Sequence, residues 1–146
     1  MREAEEELSK GKLRQAYNKV FLAWRGALAL IAAKLLEHPA YRGEVMNALK
    51  MLPEPAVSGE GVRITTGNAA RVLPRLQRLC MELDCPEGIT EALRVLAETR
   101  KDAYMLHTAF YEGAEHAGFE GDDEAAETAK RLIERLGRVL ALVHRG

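Results

Sequence analysis

Residues 91–112 read EALRVLAETRKDAYMLHTAFYE, and the reading of this stretch decides the fold. At ~100° per residue, Ala92, Val95, Thr99, Ala103, Leu106 and Phe110 gather on one arc of a helix, while Glu91, Arg94, Glu98, Lys101 and Glu112 gather on another. A third, narrow stripe carries Arg100, Tyr104, His107 and Tyr111. It borders the apolar arc and is therefore expected to be half shielded from water. There a histidine can be tuned and an arginine can present its planar fork to a phosphate. The helix is expected to begin between Pro86 and Glu91 and to run to about Glu115, with Gly118 and Gly121 marking the turn beyond it.

The same helical period runs through most of the chain. A short acidic helix is expected over Arg2 to Lys10, ended by Gly11, with glutamates favouring the positive end of its dipole. From Lys12 to about Glu37, Leu13, Ala16, Tyr17, Val20, Ala23, Trp24, Ala27, Leu28, Ile31 and Leu35 form a broad apolar face opposite Arg14, Gln15, Asn18 and Arg25. His38-Pro39 stops this helix, since a residue before proline is pushed out of helical geometry. Residues 38–67 read as an irregular, mobile or partner-contacting connection with one short helix from Glu44 to Leu52, punctuated by Pro39, Pro53, Pro55, Gly59 and Gly61.

Thr65 or Thr66 can cap the next helix, which continues to about Leu83 and either kinks at Pro74 or begins near it. Val72, Leu76, Leu79 and Leu83 face inward in that helix, and Arg71, Arg75 and Arg78 line the other side. Asp122 or Asp123 can cap a last helix whose Ala125, Ala129, Leu132, Ile133, Leu136, Val139, Leu140 and Val143 form an apolar face. No alternating strand pattern of useful length and no internal repeat appear. The expected fold is all-α, a single domain over residues 1–146 built as an antiparallel bundle of four long helices plus short ones.

Composition narrows the function classes. With 21 basic and 22 acidic residues, no global field recruits nucleic acid, so any RNA contact must come from a local patch. No apolar run reaches the ~18–20 residues of a membrane span, and the acidic start is unlike a targeting peptide. A cytoplasmic protein is expected. Cys80 and Cys85 fit neither a redox motif nor half of a zinc site, which favours structural, reduced thiols, with a disulfide the alternative in a hyperthermophile. The motifs of di-iron bundles, zinc proteases, phosphate loops, serine hydrolases and calcium loops are all missing, so neither a cofactor nor a metal is expected.

An arginine followed after four to six residues by a histidine marks the HEPN superfamily of small helical proteins, and Arg100 with His107 fits that spacing. Arg138 and His144 fit it too, but in a straight helix they point apart, whereas Arg100 and His107 are in phase. The resemblance extends to the opening Glu3-Ala4-Glu5-Glu6-Glu7-Leu8, the break at Lys10-Gly11-Lys12, and Gln15-Ala16-Tyr17-Asn18-Lys19. Val62-Arg63-Ile64-Thr65-Thr66 and Leu106-His107-Thr108-Ala109-Phe110-Tyr111-Glu112-Gly113 resemble the archaeal PaREP-type branch in particular. HEPN nucleases usually place a small polar residue directly after the arginine, and here Lys101 stands there.

The resemblance implies a homodimer in which two Arg-His motifs line one cleft and RNA is cut by its own 2′-hydroxyl without a metal. On that reading His107 is the acid or base and Arg100 stabilises charge on the phosphoryl oxygens. Phase makes Tyr104 and Tyr111 supporting donors or base-stacking surfaces. Arg71, Arg75, Arg78 and Lys101 are candidate RNA contacts, although an arginine stripe is also what a solvated helix face looks like. The reading carries a toxin or defence role with it. A second reading, favoured by Lys101, is a non-catalytic HEPN-like module that binds a nucleotide, RNA or a nucleotidyltransferase-type partner. A third is a purely structural helical dimer, in which His107 bonds a neighbouring helix and Arg100 a carboxylate.

Overall fold

The structure, a computed structural model, describes residues 2–9, 12–59 and 61–145. Among these the chain forms six helices: α1 (Arg2–Ser9), α2 (Leu13–Glu37), α3 (Pro39–Lys50), α4 (Thr66–Leu83), α5 (Glu87–Glu112) and α6 (Asp122–Arg145). One small antiparallel hairpin, β1 (Val57–Ser58) with β2 (Gly61–Val62), pairs Val57 with Val62 and Ser58 with Gly61. The described residues are thus all-α apart from four in strands, and α2, α4, α5 and α6 are the long helices. The expected break at Lys10 and Gly11 lies outside the described residues. No described helix is long and apolar enough to cross a membrane. Intrachain contacts resolve into two compact units, residues 1–24 with 98–138 and residues 25–97 with 139–146.

In the first unit, α2 buries Ala16, Tyr17, Val20, Phe21 and Trp24, and α5 buries Thr99, Ala103, Leu106 and Ala109. Trp24 Nε1 donates to Thr99 Oγ1 at 3.2 Å, which satisfies the one polar atom of a fully buried indole. Helix α5 ends at Glu112, short of the expected Glu115. Gly113, at φ +95°, takes the left-handed conformation that closes a helix, and its N–H still reaches Ala109 O at 2.9 Å. Helix α6 starts at Asp122, whose Oδ1 accepts from the buried Tyr17 hydroxyl at 2.8 Å. This carboxylate therefore fixes the start of α6 by receiving a tyrosine from α2.

In the second unit the segment after α2 departs from expectation. Helix α3 begins at Pro39, five residues before the anticipated Glu44, because His38 stops one helix and starts the next. Its backbone is extended and its Nδ1 accepts from Ala40 N–H at 3.2 Å, while Pro39 occupies the first helical position, where a missing N–H costs nothing. Val45 and Leu49 bury the inner face of α3. Helix α4 begins at Thr66 and passes through Pro74, which sits on its exposed side, where water can serve the carbonyl left without a donor.

The start of α4 is a capping box in which Thr65 Oγ1 accepts from Asn68 N–H at 3.1 Å and Asn68 Oδ1 accepts from Thr65 N–H at 2.8 Å. Asn68 is completely buried, and its amide nitrogen also donates to Arg63 O at 3.0 Å and Glu54 O at 3.4 Å. One side chain thereby ties the loop before the hairpin, the irregular residues after it and the helix that follows. Ala56 completes the tie, since its N–H reaches Leu49 O at 3.0 Å and its carbonyl accepts from Arg63 N–H at 2.7 Å.

Cys80 and Cys85 are joined as a disulfide, contrary to the reduced thiols expected from their spacing. Their Cα atoms stand 4.8 Å apart because Asp84 adopts the left-handed conformation at the end of α4 and turns the chain back, so that Cys85 N–H reaches Cys80 O at 3.1 Å.

Asn68→Ala removes a buried amide that donates to two backbone carbonyls and accepts from one backbone N–H. Urea unfolding monitored by circular dichroism is expected to show a loss of about 3 kcal/mol, against less than about 0.5 kcal/mol for the exposed Asn47→Ala control.

Candidate functional site

Helix α5 presents its polar-aromatic stripe beside Phe21. The Phe21 ring is fully buried and lies 4.3 Å from the His107 ring, centroid to centroid, at a 31° tilt. Tyr111 meets that imidazole edge-on at 5.1 Å. Tyr104, one turn earlier, packs edge-on against Phe21 at 5.2 Å and Trp24 at 5.8 Å. His107 and Tyr104 are half-buried, whereas Tyr111 is 67% exposed. The stripe thus grades from an aromatic floor to an open aromatic edge within two helical turns.

The His107 Nδ1 atom is buried and no hydrogen bond reaches it among the described residues. Any proton transfer by this ring with a ligand must therefore run through Nε2. Arg100, seven residues before His107, is exposed, and so is Lys101. Among the described residues neither forms an ion pair. An arginine fork that no carboxylate holds keeps its donors available for an anion. The nearby acids are engaged elsewhere or lie on another arc: Glu98 pairs with Arg135, and Glu91 with Arg94.

The structure places Arg100, Lys101, Tyr104, His107 and Tyr111 in the first unit. Arg71, Arg75 and Arg78 are exposed on α4 in the second unit, where no described carboxylate pairs with them. The remaining histidines of the chain, His38, His116 and His144, are all exposed, as is Arg138. Among the described residues no group of three histidine, cysteine, aspartate or glutamate side chains is placed to hold a metal ion.

Phe21 escapes the sequence reading although it positions the histidine. Its signal is present in the spacing: Tyr17, Phe21, Trp24, Leu28, Ile31 and Leu35 recur at four and three residues and are all buried. Arg14 lies beside the turn that closes α5, its Nη2 atom 3.3 Å from where a side chain on Gly113 would start. At this position an alanine would meet both a positive φ and a guanidinium.

Tyr17, four residues before Phe21 on α2, has a displaced titration. Burial raises its hydroxyl well above the ordinary tyrosine value, and the Asp122 carboxylate that accepts its hydrogen bond raises it further. A raised folded-state value means that the protonated phenol stabilises the fold fully below about pH 10, and that this contribution is lost as pH rises beyond it. Unfolding free energies measured from pH 8 to 11 are expected to fall more steeply for the native chain than for Tyr17→Phe.

A sequence model of the archaeal PaREP1/PaREP8 family matches residues 1–133 of the chain, which takes in α1 to α5 and the stripe. No curated protein and no solved structure matches it.

Proposed function

The chain belongs to the archaeal PaREP1/PaREP8 family, and from that premise we propose that it is a HEPN-like helical protein acting on RNA, with Arg100 and His107 as a metal-independent cleavage pair. The observation that carries the reading is the exposed Arg100 guanidinium, held by no described carboxylate, on the same helix face as a half-buried imidazole. In this reading the four long helices form an antiparallel bundle, consistent with the three-residue connection Asp84–Pro86 between α4 and α5.

The chemistry asked of these groups is modest. His107 Nε2 takes the proton of a ribose 2′-hydroxyl as it attacks the neighbouring phosphorus, or supplies one to the departing 5′-oxygen. Arg100 binds the two non-bridging oxygens as charge gathers on them. Tyr111, the exposed aromatic edge, offers a stacking surface to a base, and Tyr104 acts through packing beneath it. One copy provides one histidine, and in-line displacement uses both an acid and a base, so a homodimer that brings two stripes to one cleft completes the site. Lys101, beside Arg100, supplies a phosphate contact that positions the strand, and Arg71, Arg75 and Arg78 are a separate set of candidate RNA contacts on α4. The setting is a cytoplasmic toxin or defence component.

A second reading has its own observation. Lys101 stands where HEPN nucleases carry a small polar residue, and the His107 ring packs against both Phe21 and Tyr111. Both features suit a module that binds RNA, a nucleotide or a nucleotidyltransferase-type partner without cutting.

Purified protein incubated with end-labelled RNA in excess chelator distinguishes the readings. Cleavage is expected, reduced at least about 10²-fold by His107→Ala or Arg100→Ala and unchanged by His144→Ala. RNA retained but intact establishes the binding module, and neither retention nor cleavage removes RNA from the account.

A further inference from the structure

At the corner where α2 gives way to α3, and against the first turn of α5, lies an open cavity of about 250 Å³ in the second unit. Its volume falls just under the ~300 Å³ at which sites for drug-sized molecules begin, so it suits a smaller occupant. Leu35 and Ile89, each 2% exposed, line it together with Pro39 and Pro86. Tyr41 lines it as well, its ring 4.7 Å from the His38 ring. None of these residues belongs to the stripe on α5 described above.

The polar groups on the wall have a particular arrangement. Lys34 and Glu37 are three residues apart on α2 and so lie roughly 5–6 Å apart on one face, yet among the described residues they form no ion pair with each other. Lys34 Nζ instead donates to Val143 O at 2.9 Å, at the carboxyl end of α6, which fixes the ammonium and leaves two of its N–H groups over. No hydrogen bond or ion pair engages the Glu37 carboxylate among the described residues. Because His38 Nδ1 accepts from Ala40 N–H, its ring proton sits on Nε2, which adds a donor to the same wall.

A cation and an anion held side by side but apart, with an apolar and aromatic lining, complement a molecule that carries both charges on one carbon. We propose that this cavity binds a free α-amino acid with an aromatic or branched apolar side chain. Lys34 and His38 Nε2–H hold the carboxylate, Glu37 holds the ammonium, and the side chain lies between Tyr41, Pro86 and Ile89. The α5 wall is held in place for this by the adjoining disulfide, since Pro86 directly follows Cys85 and its carbonyl accepts from Ile89 N–H at 3.0 Å. Amino-acid binding here is independent of the RNA reading and stands or falls without it.

Titration of the ¹⁵N-labelled full chain with L-phenylalanine and L-leucine tests the proposal. Saturable shifts centred on Tyr41 and Ile89 are expected. Phenethylamine, which lacks the carboxylate, and 3-phenylpropionate, which lacks the ammonium, should each bind at least about tenfold more weakly, the effect of losing one charge-assisted contact. Lys34→Met and Glu37→Gln should weaken L-phenylalanine to a similar degree. Ile89→Trp, which fills the cavity, should abolish the shifts; Glu37→Gln, at an exposed position, gives the same test should the larger residue disturb folding. The proposal is overturned if L-phenylalanine produces no shifts up to about 10 mM, a concentration that would detect binding of only ~3 kcal/mol. It is equally overturned if the two single-charge analogues bind as well as the amino acid, or if Glu37→Gln leaves its affinity unchanged.

Discussion

Everything proposed for the stripe on α5 depends on one contact, the tilted stacking of His107 on Phe21 at 4.3 Å. Phe21 is itself immobilised, fully buried between Tyr17 and Trp24 along α2, and Trp24 is tied to α5 through Thr99. The imidazole thus inherits its orientation from a core side chain and not from a flexible loop. That is the condition for a group that must present one nitrogen to a ligand, because positioning within a fraction of an ångström requires a supporting shell that cannot relax. The same contact has a cost in options: with Nδ1 buried, only Nε2 can exchange a proton with a ligand. An enzyme built on this ring therefore exchanges protons through a single nitrogen per copy.

The second unit is organised by a different constraint, the need to satisfy backbone groups in a segment too irregular to satisfy its own. Asn68 does this for Glu54, Arg63 and Thr65 from a position with no solvent access. Leaving such groups without partners costs about 1–3 kcal/mol each, so a single amide replaces the ladder that a longer hairpin would have provided. The disulfide between Cys80 and Cys85 does comparable work at the other end of α4, holding a turn that Asp84 makes possible. Helix α4 is consequently fastened at both ends.

These two constraints explain what the sequence made visible. The apolar arcs of α2, α4, α5 and α6 were legible because burial of one face is periodic, and the residues named for those faces are buried or half-buried, from Ala16 to Val143. Helix starts that rest on a local signal were legible in the same way, as with Thr65. What stayed hidden depended on partners distant in sequence or on backbone conformation. His38 was read as a stop and is also a cap, because the bond from Ala40 exists only once Pro39 is helical. Residues 51–65 looked like a loose connection because Asn68, which pins them, is an ordinary polar residue until its four bonds are counted. The disulfide was only the second choice, because a spacing of five brings two cysteines together only if the residue between helix and loop turns left-handed. Of the stripe, the shared face of Arg100 and His107 was legible, whereas the ring beneath the histidine belonged to a helix some eighty residues earlier.

The charge distribution bears on how such a chain meets an anion at all. With a net charge of −1 it has no long-range attraction for a polyanion. Screening makes that figure a poor guide at contact distance, since at physiological ionic strength charges more than ~8 Å apart barely feel one another. What a phosphate meets is therefore the immediate neighbourhood of an exposed guanidinium. The acids are spent unevenly in this respect: Glu91 is held by Arg94, Glu98 by Arg135 and Glu3 by Lys19, while among the described residues no carboxylate holds Arg71, Arg75, Arg78 or Arg100. Successive arginines of the α4 set are separated by ~6 and ~4.5 Å along the helix axis, close enough to act on one ligand together. A nearly neutral protein can in this way carry locally cationic faces whose attraction for an anion is short in range and steeply weakened by salt.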